Sequence, residues 1–196
     1  NNPLDDGLPK CGEVWFNELR VSDFVSRGGW AATGRVVTKL ADFGTVQAAT
    51  NYKSVGWGGI DKKLNERSLK EELQMSVATN FELGKFFPAK VGISIPMFYS
   101  YSQTSIKPLY NPLNPDIKLA TSLETNNEAE RQRILAAAED FSTQRSINFT
   151  NVRKNRVGSK KAHFYDVENL NATFAFSEQY RRNENIQYSL LKNYQV

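Results

Sequence analysis

Between Leu73 and Leu83 the chain reads LQMSVATNFEL. The odd positions Leu73, Met75, Val77, Thr79, Phe81 and Leu83 are mostly apolar, and the even positions Gln74, Ser76, Ala78, Asn80 and Glu82 are small or polar. Side chains of a β-strand alternate between faces, so this stretch predicts a strand with one greasy and one wet side. Val91 to Tyr101 repeats the alternation: Val91, Ile93, Ile95, Met97, Tyr99 and Tyr101 against Gly92, Ser94, Pro96, Phe98 and Ser100. Pro96 cannot donate a ladder hydrogen bond, which predicts a local irregularity. Upstream, Trp30, Ala32, Gly34, Val36, Thr38 and Leu40 share one phase, ADFG (41–44) is a turn candidate, and Val46, Ala48, Thr50 and Tyr52 share the next, which predicts a hairpin. EVWFNELRV (13–21) reads as a further strand, and SVGWGGIDKKLNERS (54–68) as a loop. KPLYNPLNPD (107–116) begins a proline-rich, non-strand insertion. Residues 127–141 have helical spacing, with Ile134, Leu135, Ala138 and Phe141 as a narrow apolar stripe. Strand pattern resumes at Ile147 and Phe149, returns at Leu170, Ala172, Phe174 and Phe176, and ends with Ile186, Tyr188, Leu190 and Tyr194.

Length separates two classes of alternating strand. Soluble strands are mostly about five or six residues long, whereas a tilted strand crossing a bilayer needs about 9–11. Leu73–Leu83 and Val91–Tyr101 both reach the longer range with no charge on the greasy face. Aromatics gather towards strand ends (Phe81 with Phe86 and Phe87, Tyr99 with Tyr101, Tyr180, Tyr194), where rings bridge apolar and wet zones. The pattern predicts a membrane β-barrel in which Leu73, Met75, Val77, Phe81, Ile93, Ile95 and Met97 face lipid, and Gln74, Ser76, Asn80 and Glu82 face a water-filled lumen. A large soluble β-sheet protein is the competing architecture, for which a surface-adhesion or carbohydrate-binding sandwich is the functional alternative; a smaller outer-membrane transporter is another.

Composition narrows this only slightly. The 196 residues are 40% hydrophobic and 23% charged, ordinary for a folded chain. A mean hydropathy of −0.52 and the lack of any long apolar run argue against membrane helices, but not against a barrel, whose strands are half polar. The net charge of +4 is spread out apart from Arg153, Lys154, Arg156, Lys160 and Lys161, a cluster that reads as a solvated loop and not as a nucleic-acid site. The single cysteine, Cys11, permits no intrachain disulfide. No basic-then-apolar leader opens the sequence, and NIQYSLLKNYQV still reads as a strand at the C-terminus, so an internal fragment is expected.

Candidate chemistry is thin. His163 and Asp166 could be half of a hydrolase triad, but the sequence has no second histidine and no Gly-x-Ser-x-Gly turn. Nothing beside Cys11 suggests a lowered thiol pKa, and Asp5 with Asp6 offers too few ligands for calcium. DFG (42–44) lacks a catalytic loop, and GWGG (56–59) lacks the lysine and helix of a phosphate loop. The expectation is a protein that is not an enzyme and uses no cofactor or metal.

The blocks EVWFNELRVSDF, RGGWAA, KLADFGTV, SVGWGGIDKKLNERS, LGKFFPAKVGISIPMFYSYS, YNPLNPDIKL, RSINFTNVRK and HFYDVENLNATFAFSE run in order across nearly the whole chain. Together they resemble the SprA (Sov) family, the outer-membrane translocon of the Bacteroidota type IX secretion system. The resemblance implies a very large antiparallel barrel that conducts folded cargo, supports gliding motility, and sits in the outer membrane of a Gram-negative bacterium. It also implies partner subunits that cover a lateral gate or plug the periplasmic end. On this basis residues 1–24 are expected to end a preceding β-segment or linker. Residues 25–112 should be barrel strands and loops, 113–145 a proline-rich and helical insertion, and 146–196 barrel strands truncated at the C-terminus.

Overall fold

The computed structural model describes residues 28–158, 163 and 165–196. The expected strand at 13–21, Cys11, Asp5, Asp6, Lys160 and Lys161 lie outside them. Long alternating segments form strands, as the pattern requires: β1 (Ala31–Leu40), β2 (Gly44–Lys53), β3 (Lys70–Glu82), β4 (Ile93–Ser94), β5 (Pro96–Pro108), β8 (Asp140–Lys154), β9 (Asn171–Asn183) and β10 (Ile186–Gln195). They make one antiparallel sheet in the order β1-β2-β3-β5-β8-β9-β10, with β4 alongside β8. The described strands form an open sheet and not a closed barrel, with β1 and β10 at its edges.

The hairpin from β1 to β2 forms where the pattern placed it, with Leu40 opposite Gly44. Its turn holds Ala41 at φ 44°, and Phe43 N–H closes it onto Leu40 O at 2.9 Å. Gly44 permits close contact with β3, because a β-carbon there would lie 2.1 Å from Asn80 O.

The segment Val91–Tyr101 differs from its expected single strand. Val91 ends a 3₁₀ turn (Ala89–Val91), Gly92 follows at φ +69°, and the long strand runs instead from Pro96 to Pro108. Ile93 pairs with Lys154 on β4, and Ile95 lies between β4 and β5. The irregularity expected at Pro96 has its counterpart on the neighbouring strand. Met97 faces Phe149 and Ile93 faces Lys154, so β8 carries one residue more than the opposing chain. Asn151, at φ 56°, sits in that extra step, which also shifts the register between Phe149 and Val152 against β9. This is a β-bulge, with asparagine tolerating the left-handed backbone.

The insertion also departs from expectation. Tyr110–Asn111 (β6) and Asn114–Lys118 (β7) form a small hairpin where the prolines predicted no strand. Two helices follow, α1 (Leu119–Thr125) and α2 (Glu128–Ala138). Asn127 caps α2 by accepting from Glu130 N–H at 2.9 Å. Of the expected stripe, Ile134 and Ala138 are buried, but Phe141 belongs to β8, which begins at Asp140 and not after Arg145.

Among the described residues, burial of hydrophobic side chains is confined to this insertion, although Thr79 on β3 and Ser105 on β5 are buried too. Among the described residues the only buried hydrophobic side chains are Leu119, Ile134 and Ala138, which cluster with Leu123. Among the described residues the sheet is a single layer with both faces uncovered. Glu139 ties the insertion to it, accepting from Ser105 Oγ at 2.5 Å and from Arg182 at 2.5 Å.

Candidate apolar and polar faces of the sheet

Residues directly opposite in an antiparallel pair share a face, so the register assigns every strand position. Leu73, Met75, Val77 and Phe81 stand opposite Tyr52, Thr50, Ala48 and Gly44 on β2. On the other side they stand opposite Ser105, Gln103, Tyr101 and Met97 on β5. The face continues through Ile147 and Phe149 of β8 to Phe176 and Phe174 of β9. Met97 therefore joins the expected apolar set, and Ile93 reaches the same face through Lys154, which is two residues beyond Val152 and its partner Ala172. Ile95 is held outside the strands. Its N–H donates to Glu82 at 2.6 Å, and its carbonyl accepts from Leu83 N–H at 2.9 Å.

The opposite face carries Gln74, Ser76 and Asn80. Ser76 lies between Ala49 and Ser102, and Asn80 between Thr45 and Phe98. Its side chains bond to one another: Thr33 to Asn51 at 2.6 Å, Ser100 to Ser146 at 2.8 Å, Lys53 to Glu72 at 3.0 Å, and Arg181 to Asp140 at 3.3 Å. Glu82 departs from the expected set. Its carboxylate accepts from Gly84 N–H, Ile95 N–H and Ser94 Oγ, so it latches the loop between β3 and β4.

The apolar face is as open to its surroundings as the polar one. Met75 is 48% exposed, Val77 37% and Phe174 39%. Aromatic rings close both ends of the face on the β1–β3 side. Trp30 packs on Tyr52 at 4.6 Å, and Phe43 packs on Phe81 and Phe86 at 5.1 and 4.8 Å. On the β8–β10 side the face carries an ion ladder: Arg145 to Glu178 at 2.7 Å, and Glu178 to Lys192 at 3.4 Å. Glu178 continues the phase of Leu170, Ala172, Phe174 and Phe176, but only the register brings Arg145 and Lys192 against it.

The first 123 residues match the family model SprA_N, described as motility related/secretion protein. The chain belongs to that family. No curated protein matches it. Membership in SprA_N assigns the protein to motility and secretion. No described helix is long and apolar enough to cross a membrane, which says nothing of crossing by strands.

The His163–Asp166 pair is a loop brace in this SprA_N chain. Asp166 accepts from the backbone N–H of His163 at 2.8 Å and pairs with Arg156 at 2.6 Å, while the imidazole stacks on Tyr165. The His163 N–H bond, then the Arg156 charge, hold the Asp166 carboxyl below its usual pKa, and Glu168 with Asp166 raises that of Arg156. A lowered carboxyl pKa gives support that is full above the unfolded value, near 4, and is lost as pH falls through the folded value. Protection of the Asn169 and Leu170 amides, whose N–H groups close onto Asp166 and Val167, measured as exchange relative to the unstructured chain at the same pH, should therefore be unchanged from pH 7 to 5 and fall only below about pH 4. Loss of protection already between pH 7 and 5 would assign the brace to another group.

Proposed function

We propose that this chain builds part of the wall of a type IX secretion channel in the outer membrane. The apolar face meets lipid, and the polar face lines a water-filled lumen that conducts folded cargo and supports gliding motility. One observation carries this reading: an uncovered single-layer sheet with opposite polarity on its two faces. A soluble sandwich needs a second layer over its greasy face, and no described residue forms such a layer across the seven strands here. Strand length agrees, since β3, β5 and β9 each have 13 residues and β8 has 15. Such a sheet leaves two hydrogen-bonding edges that only closure with further strands satisfies in lipid.

On this reading the protein is a passive conduit without catalytic residues, cofactor or metal. Its partners are cargo, outer-membrane lipid, and subunits that gate or plug the channel. The insertion lies outside the hydrocarbon layer, because Glu128, Glu130, Arg131, Arg133, Glu139 and Asp140 cannot face lipid together.

Cysteines placed at neighbouring positions of the full protein in native membranes test the assignment. A membrane-impermeant maleimide admitted to the lumen should label Ser76→Cys and spare Val77→Cys. Equal labelling of the two would mean that both faces are wet, and the channel wall would have to be sought elsewhere.

A further inference from the structure

The sheet's apolar face is not bounded at right angles to its strands. One cross-strand row runs Val36, Ala48, Val77, Tyr101, Arg145, Glu178, Lys192. Its first four members are uncharged, and its last three form the ion ladder. On β3 the same face stays apolar for two further rows, through Met75 and Leu73, and meets its first charge at Glu71. On β5 the polar boundary falls between, at Gln103 and Ser105. The boundary thus climbs from Glu71 on β3 to the Val77 row at Arg145 on β8, and keeps to that row through Glu178 on β9 and Lys192 on β10. At the other end of the strands the face shifts the same way. It stops at the Leu40–Gly44 turn on β1 and β2, but continues beyond Phe149 and Phe174 to Val152 and Ala172. Exposed Leu170, at 69%, lies further still.

We infer that the hydrocarbon belt crosses this sheet obliquely, and that the Arg145–Glu178–Lys192 ladder sits at the level of the lipid headgroups. The inference rests on the lipid-facing assignment above and adds the placement and inclination of the belt. The climb from Glu71 to the Val77 row is six residues, about 20 Å at about 3.3 Å per residue, with all of the rise between β3 and β8. It is averaged over the four strand spacings from β3 to β10, of about 4.8 Å each, about 19 Å in all. That is an incline of about 45°, within the tilt that closed barrels need. Height agrees as well. The rings of Tyr52 and Phe43 close the two ends of β2 nine residues apart, about 30 Å along the strand and about 21 Å along the membrane normal at that incline, against an apolar band of about 25 Å.

Handedness gives an independent check. Glu82 N–H donates to Phe43 O and Leu83 N–H to Ile95 O, so even residues of β3 bond towards β2 and odd residues towards β5. For L-residues this sets β5 to the right of an upward β3 seen from the apolar face. Levelling the boundary then makes the strands lean to the right, the hand that right-twisted strands take in a barrel viewed from outside. An apolar face turned inward would have required the opposite lean.

A charged ladder at headgroup level keeps its ions hydrated, where two cations around one carboxylate also suit lipid phosphate. The neutral Leu190 provides the sharper test, because it stands in the Met75 row yet beyond the ladder. Nitroxide labels at Val77, Ala172 and Leu190 are introduced singly into the full protein, with Cys11 and other native cysteines replaced by serine, and read in phospholipid vesicles. Collision rates with oxygen and with a water-soluble nickel chelate report depth. The oxygen-to-nickel ratio should be several-fold higher at Val77 and Ala172 than at Leu190. A Leu190 label as deep as Val77 overturns the oblique belt while leaving the lipid-facing assignment intact. Nickel access at Val77 itself overturns both.

Discussion

Deleting Lys70–Pro108, the span from β3 through β5, should abolish export of cargo. β3 bonds to β2 on one side and β5 on the other, and β5 passes the sheet on to β8. Without them, β2 and β8 must meet in a new register or leave bare edges in lipid, where each unsatisfied backbone group costs several kcal/mol. In contrast, His163→Ala, Asp166→Asn and Cys11→Ala should leave export near wild type. His163 braces its loop through a backbone N–H that alanine retains. The readout is cargo outside the cell, with the amount of protein in the outer membrane measured in parallel. A normally inserted His163→Ala protein that exports nothing would sink the passive-conduit proposal.

Val77→Arg should destabilise the inserted protein by roughly 2–4 kcal/mol, the cost of an arginine at the midplane of a barrel's lipid face. Val77 lies between Ala48 and Tyr101, with two apolar rows between it and Glu71, and none of these neighbours can neutralise a cation. Ser76→Arg, one residue away, should cost far less, since its neighbours Ala49 and Ser102 share a face with Gln47, Gln144 and Glu72. Denaturant titration of the two variants in vesicles gives the comparison. Equal costs would mean that the two faces see the same solvent.

The proposed membrane placement rests on the order of residues across strands and on no single residue. Arg145 and Lys192 occupy the same row as Val77, yet on the proposed placement they are compatible with a lipid-facing sheet, because that row would be inclined to the bilayer. Charge on an apolar face is evidence against lipid only when the strands stand upright.

Local chemistry was legible in the sequence wherever one strand carried its own signal. Alternation assigned Leu73, Met75, Val77 and Phe81 to one side of the chain and Gln74, Ser76 and Asn80 to the other, because side-chain direction has a period of two whatever the strand pairs with. The Leu40–Gly44 turn and the helix around Ile134 were equally local. The tertiary structure decided what depends on a partner strand. Ile93 kept its phase, but neither it nor Ile95 belongs to the long strand, and the bulge at Asn151 that shifts the register there lies on β8, remote in sequence. Glu82 became a loop latch because Ser94 and Ile95 return beside it. The ladder of Arg145, Glu178 and Lys192 exists only through pairing register, which hydrogen bonding between distant segments fixes and no single strand encodes.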